Sequence, residues 1–304
     1  MSFKSTWHLG KRLISDKPSS FQNRVSLQQY VLDPVKLIAI PITTRKVFLY
    51  HKHSSEILNV RSNIVKYETK LIGKASKIWT NLENSPRQFN RKLAGSINSL
   101  LDKAPWTEDS LNSIPSENYI LKTVMENQEE RTLTVDEWLK DAENLDIRPI
   151  YLYYPESVYS KAIVRQQLEA LWTEGLHYHK KYTWLSILGI PLTLPLVLIP
   201  VMPNVPGFYL LYRAYRNYKA YCGAKHLKSL VENKNHKLIF ANLPQYSDIL
   251  KGQATATNPD AKGEEQLVLN EKDLDRILDT LEIHETRSFL RKAISQERQR
   301  LEEH

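Results

Sequence analysis

The stretch Trp184–Tyr212, WLSILGIPLTLPLVLIPVMPNVPGFYLLY, decides how the rest of the chain is read. Its 29 residues include no Asp, Glu, Lys, Arg or His. At a rise of about 1.5 Å per residue, one helix of that length would exceed the roughly 30 Å hydrocarbon core of a bilayer. Pro191, Pro195, Pro200, Pro203 and Pro206 interrupt it. Each lacks a backbone N–H and clashes with the carbonyl four residues back, so the run predicts a broken apolar segment. Two topologies stay open, a kinked span and a re-entrant hairpin with both ends on one side. Two full spans of about 20 residues each do not fit.

The flanks are basic and aromatic. Lys180 and Lys181 precede the stretch, and Arg213, Tyr215, Arg216, Tyr218 and Lys219 follow it. Lys, Arg and Tyr at such borders suit a membrane–water interface, and bases at both ends favour the hairpin. Inside the stretch only Ser186, Thr193, Asn204 and carbonyls freed by the prolines offer polar groups. A proton-coupled cation carrier requires an ionisable group at membrane depth, so this segment does not form an ion path alone. Its carbonyls could coordinate K+ only in an assembled oligomer or with a partner.

Working outward, the chain has 304 residues and a net charge of +8, unevenly spread. Residues 57–103 hold nine bases against three acids, residues 105–156 twelve acids against four bases, and residues 213–237 seven bases against Glu232. Blocks of this kind suit segments that face one another, or a basic collar against anionic lipid. The basic helices near Tyr67 and Trp79 could bind nucleic acid, a mitochondrial ribosome or cardiolipin-rich membrane, or could pack against the acidic block. Cys222 is the only cysteine, which excludes an internal disulfide or a multi-cysteine zinc site.

Lys36–Ile42 (KLIAIPI) and Arg45–Tyr50 (RKVFLY) read as short strands, with Pro149–Tyr154 (PIYLYY) as a partner; Pro41 predicts an edge or bulge. Ile57, Val60, Ile64, Tyr67, Leu71, Ala75 and Ile78 step by three and four, predicting a helix over Glu56–Asn81. Phe89, Leu93, Ile97 and Leu100 predict a second helix ending near Lys103. Asp102–Ser116 reads as a loop, followed by short helices near Glu117–Asn127 and Val135–Asn144. A long helix is expected from Ser157 to Lys181. Asn270 predicts the cap of a helix carrying Leu274, Ile277 and Leu281, and a last charged helix spans Glu285–Glu302. His177 and His179, two apart, read as polar interface residues rather than a metal pair, and His51 and His53 as surface residues.

Residues 1–34 form a basic N-terminal segment. It fits a mitochondrial presequence or a plain basic tail, and it has no apolar core of a secretory signal. Residues 35–183 follow as a helical domain with the small β element, then the membrane segment 184–212. Beyond it come a basic, aromatic region 213–251, a polar linker 252–265 and charged helices 266–304. The fold class read from these parts is mainly α with a small β element, membrane-anchored by one proline-broken apolar segment.

The pieces KLIAIPIT with FLYH, then PIYLYYPES, then WLSILGIPLTLPLVLIPVMPNVPGFYLLYRAYRNYKAYCGAKHL resemble the fungal mitochondrial K+–H+ exchange-related proteins, over roughly residues 36–230. The resemblance implies an inner-membrane mitochondrial protein, its bulk facing the matrix, linked to potassium–proton exchange and organelle volume. K+ and H+ enter as transported ions of an assembled system, and the implied partners are membrane lipid and a homo- or hetero-oligomer. The chain shows no phosphate loop, nucleophile elbow, zinc-protease helix or EF-hand, so neither enzyme activity nor a cofactor is expected. The expected role is accessory or regulatory; the alternative is a membrane-tethered adaptor for a mitochondrial ribosome or assembly partner.

Overall fold

The run Leu37–Ile40 is apolar without alternation because its strand is covered on both faces. The computed structural model describes residues 25–53, 83–117, 122–126, 129–133, 149–198, 205–232, 238–253 and 264–303, with eight helical residues between 66 and 81. In chain order the first elements are α1 (Leu27–Leu32), β1 (Val35–Pro41), β2 (Val47–His53), α2 (Gln88–Asp102) and α3 (Trp106–Ser113). Next come β3 (Lys122–Glu126), β4 (Glu129–Leu133), β5 (Ile150–Tyr154), α4 (Lys161–Gly189) and α5 (Val205–Glu232). The last are β6 (Leu238–Asn242), α6 (Pro244–Ile249), α7 (Glu271–Leu281) and α8 (Arg287–Glu302).

The described elements are mainly helical, around a four-stranded mixed sheet in the order β2-β1-β5-β6. β1 pairs antiparallel with β2 and parallel with β5, which pairs parallel with β6. Pro41 is the last residue of β1, opposite Val47, where it interrupts little of the ladder. β3 and β4 form a separate antiparallel pair.

The outer strand β2 would leave backbone groups unpaired, and α3 covers that edge. Ser110 Oγ accepts from the Leu49 N–H at 2.9 Å and donates to the Leu49 carbonyl at 2.8 Å. Ser113 Oγ accepts from the His51 N–H at 3.3 Å. Asp102–Ser116 is therefore no plain loop. The Glu117–Asn127 helix is also corrected, since Lys122–Glu126 is a strand; Val135–Asn144 lies outside the described residues.

Parallel β5 and β6 require a long crossover, which the α4–α5 hairpin supplies. Ser160 caps α4 by accepting from the Ile163 N–H. The two long helices run antiparallel: Gly189 meets Leu210, His179 bonds Asn217, and Gly175 lies beside Ala224. The apolar stretch is the turn of this hairpin. α4 ends at Gly189, Pro191–Leu198 winds as a 3-10 helix, and α5 begins at Val205; residues 199–204 lie outside the described residues.

That division corrects the expectation of a fold anchored in a membrane by one proline-broken segment. Among the described residues no helix is long and apolar enough to cross a membrane. Pro191 and Pro195 end the α-helical ladder. Upstream, α4 carries Glu174, His177, Lys180 and Lys181; downstream, α5 reaches Arg213 and Arg216 after two turns.

Candidate functional site

A polar network lies about two turns into α5 from the hairpin tip, where α3, α5 and α8 meet. Glu108 and Asp109 fall in the first turn of α3, where carboxylates complement the helix dipole. Both are buried, with side chains 1% and 6% exposed. Arg213 and Arg216, three apart and so on one side of α5, reach them. Arg213 donates from both terminal nitrogens to the two Glu108 oxygens, at 2.9 and 2.8 Å. Arg216 donates Nε to Glu108 Oε1 at 3.1 Å and Nη2 to Asp109 Oδ1. From α8, Lys292 Nζ donates to Asp109 Oδ2 at 2.9 Å.

Burial alone would raise the Glu108 carboxyl, but the Arg213 hydrogen bond and the charges of Arg213 and Arg216 outweigh it and hold the group below its ordinary value. A bidentate Arg–carboxylate pair is the strong form of such contacts, and loss of one partner strands a buried charge. Through Glu108 and Asp109 the acidic block thus meets the basic block beginning at Arg213.

Beside this network, His179 Nδ1 lies 2.9 Å from Asn217 Oδ1, which leaves the histidine as the donor, and Asn217 Nδ2 donates to the Arg213 carbonyl at 2.7 Å. Burial lowers the His179 pKa, against the Asn217 bond and the Glu108 charge. His177 is exposed. His51 is buried and His53 half-buried, which corrects their assignment to the surface; their Nδ1 atoms are 3.1 Å apart. Burial first, then the His53 and His226 charges, hold His51 well below its ordinary value. Among the described residues no group of three or more His, Cys, Asp or Glu could hold a metal ion.

A second buried acid, Glu297 of α8, accepts from Trp106 Nε1 at 2.7 Å, Lys46 Nζ at 2.9 Å and Arg300 Nε at 2.7 Å. It ties α8 to the start of α3 and to the turn before β2.

The residues singled out in the apolar stretch are placed differently. Thr193 is buried, its hydroxyl donating to the Ile190 carbonyl at 2.7 Å. Pro191, Pro195 and Pro206 are exposed, whereas Pro200, Pro203 and Asn204 lie outside the described residues. Lys180, Lys181 and Tyr218 are exposed, and Tyr215 and Lys219 half-buried. Arg213 and Arg216 turn inward to the carboxylates. Around the tip the ordinary pattern is inverted: Thr183, Ser186 and Thr193 are buried while Trp184, Leu188 and Leu192 are 58%, 67% and 81% exposed. Trp184, Leu185, Ile187 and Leu188 project to several sides of α4, so the apolar surface wraps the helix instead of forming one stripe.

Glu108, Asp109 and Lys292 were not candidates from the sequence. The usable signal is an adjacent acid pair after Pro105, matched by bases at i and i+3 in Arg213–Arg216.

A family model described as mitochondrial K+-H+ exchange-related matches residues 36–231. An uncharacterized protein of Saccharomyces cerevisiae is 46% identical over 281 residues, 90% of this chain and 88% of that protein. An uncharacterized protein of Schizosaccharomyces pombe is 28% identical over 201 residues, 66% of this chain and 77% of that protein. No solved structure matches the chain.

Proposed function

Because the chain belongs to the mitochondrial K+-H+ exchange-related family, we propose that it is an accessory or regulatory component of potassium–proton exchange at the inner mitochondrial membrane, working in an oligomer and not as a self-sufficient carrier. One observation carries the accessory reading. Arg213 and Arg216 lie beyond the apolar stretch and are tied to Glu108 and Asp109, whereas Trp184–Tyr212 holds no Asp, Glu, Lys, Arg or His. A carrier needs a group that exchanges proton for cation along the path. The Thr193 hydroxyl is already bonded to a backbone carbonyl.

In this reading the Glu108 network fixes the hairpin to α3 and α8, and the exposed apolar tip is the contact surface. The proposed partner at the tip is inner-membrane lipid, met at the surface of one leaflet, with the sheet domain on the matrix side. The test is potassium-acetate swelling of mitochondria lacking the protein, with re-expression of the wild type or of an E108Q variant. Altered swelling restored by the wild type but not by E108Q supports the reading. Unchanged swelling with a changed profile of mitochondrial translation products would sink it and favour a ribosome adaptor.

A further inference from the structure

Between α2, α5 and α8 lies a cleft of about 900 Å³ whose wall includes Glu108, Asp109, Arg213, Arg216 and Lys292. We propose that this cleft binds a phosphodiester anion, the group carried by a phospholipid headgroup. The inference rests on the reading that the hairpin tip meets lipid.

Charge is the first ground. Three cations face two carboxylates, leaving one positive charge uncompensated. Of the other charged lining, Lys103 adjoins Asp102, Arg300 is held by Glu297 and Glu265, and Glu303 is exposed at the end of α8. A single excess charge suits a singly charged phosphodiester. A nucleotide polyphosphate would bring several negative charges beside two buried carboxylates, which like-charge repulsion opposes.

Preorganisation is the second ground. Glu108 and Asp109 lie beneath the cations, almost wholly buried, whereas the side chains of Arg213, Arg216 and Lys292 keep 12%, 21% and 23% exposure. The carboxylates fix the cationic heads, so little order is lost when an anion arrives. One of the three donors on the Lys292 ammonium goes to Asp109. The hydroxyls of Ser288 and Ser295 line the α8 wall and can complete the shell of a phosphate oxygen.

Position is the third ground. Tyr212 and Phe289 are both in the lining and 44% and 38% exposed, and Tyr212 ends the apolar stretch. Arg213 follows Leu211 by two residues, about 3 Å along the helix. A tip resting on one leaflet would therefore hold Arg213 and Arg216 close to the headgroups.

The test uses the full chain and three probes: glycerophosphoglycerol as a soluble phosphodiester, inorganic phosphate, and vesicles of phosphatidylcholine with or without phosphatidylglycerol. The diester should bind saturably and more tightly than inorganic phosphate. K292Q keeps Asp109 paired with Arg216, and should weaken diester binding about fivefold, the loss expected for one cation near an anionic surface. K292R should retain binding, which separates lost charge from lost fold. K180Q/K181Q, which changes exposed charge away from the cleft, should leave diester binding unchanged. Diester binding insensitive to K292Q, or weaker than that of inorganic phosphate, overturns the proposal. Diester binding that responds to K292Q while no vesicle binds keeps the cleft and sinks the lipid reading. Vesicle binding without a diester site does the reverse.

Discussion

Gly223 of α5 faces the end of α3 so closely that a methyl group has no room. A Cβ there would lie 2.1 Å from the Leu111 carbonyl oxygen and 3.0 Å from that of Ile114. Ordinary carbon–oxygen contacts begin near 3.3 Å, and both obstacles are backbone, so G223A must drive the two helices apart by about 1 Å. Alanine gains about 1 kcal/mol of helix propensity over glycine, and overpacking of this kind costs about 1–3 kcal/mol. The larger loss lies in the same seam. Opening it stretches the Arg213–Glu108 pair, now at 2.8 and 2.9 Å, and disruption of a buried charge pair costs roughly 3–5 kcal/mol. The expected net loss is at least about 3 kcal/mol, or at least roughly 6 °C in melting temperature at about 2–4 °C per kcal/mol. Two further variants calibrate the measurement. A Cβ at Gly175 meets the Leu111 Cδ1 atom at 2.5 Å, a side-chain end that can rotate, so G175A should lose less. Gly95, in α2, has nothing within 4 Å, and G95A should gain up to about 1 kcal/mol. Thermal and urea unfolding of the purified variants should rank G223A below G175A and G175A below G95A. A G223A protein as stable as the wild type would refute the close approach of α5 to α3.

Three other perturbations test the remaining parts. E108Q should cost about 3 kcal/mol in urea unfolding, because it leaves Arg213 and Arg216 short of their counter-charge; a loss below about 0.5 kcal/mol would show that the network does not hold the hairpin. Glu108 and Glu297 both lie below their ordinary value of 4.5 in the folded chain, Glu297 through Trp106, Lys46 and Arg300 against the opposing effect of burial. Their stabilisation is therefore present above about pH 4.5 and lost as pH falls through the folded values, and E108Q should flatten that acid limb. Lys36 is pushed down to about 8 from 10.5, first by burial and then by Lys52. The folded state thus gives up that proton first, stability should rise between pH 8 and 10, and Lys36→Met should remove the rise; an unchanged slope contradicts the assignment. L188E/L192E changes two exposed tip residues, and should leave the melting temperature within about 2 °C while abolishing recruitment to vesicles. Recruitment that survives the double substitution rules out the tip as the contact.

Much of the frame is legible in the chain because it follows ordinary periodicities. Leu37–Ile40 announces a covered strand, and Asn270 does cap α7 by accepting from the Asp273 N–H. The stepping of Phe89, Leu93 and Ile97 marks α2. The α3 helix escapes such reading for a physical reason. Its buried face holds Glu108, Asp109, Ser110 and Asn112, and the partners of the first three are dozens to more than 180 residues away in sequence. Apolar periodicity cannot register a helix whose inner face is largely polar and held by residues distant in sequence. The same blindness places Arg213 and Arg216 in a basic collar at a membrane–water interface, since nothing local to α5 shows the carboxylates that meet them. His51 was misplaced for a related reason: a polar residue at a strand end is expected outside until α3 is known to cover β2.

The apolar stretch fails as a membrane span for a reason visible in its own composition. Absence of charge measures transfer cost, but continuity of the backbone ladder decides whether that cost can be met by one crossing helix. Pro191 and Pro195 break the ladder, and Thr183, Ser186 and Gly189 then fall on the side of α4 that packs against α5. The large apolar residues are left outward. Eight of them at the tip (Trp184, Leu185, Ile187, Leu188, Leu192, Leu194, Phe208 and Leu211) are 41–81% exposed. At roughly 1 kcal/mol for covering each half-exposed side chain, an apolar partner could gain on the order of 8 kcal/mol there. That gain is comparable to the whole stability of an ordinary domain, so a tip held only by its own helices would be free to deform toward its partner. The bidentate Arg213–Glu108 pair and its neighbours oppose this about two turns into α5, where α3 and α8 meet the hairpin. The geometry therefore sets a contact end without charge beside a charged network that orients it, with His179, Asn217 and Arg213 joining α4 to α5 at that level.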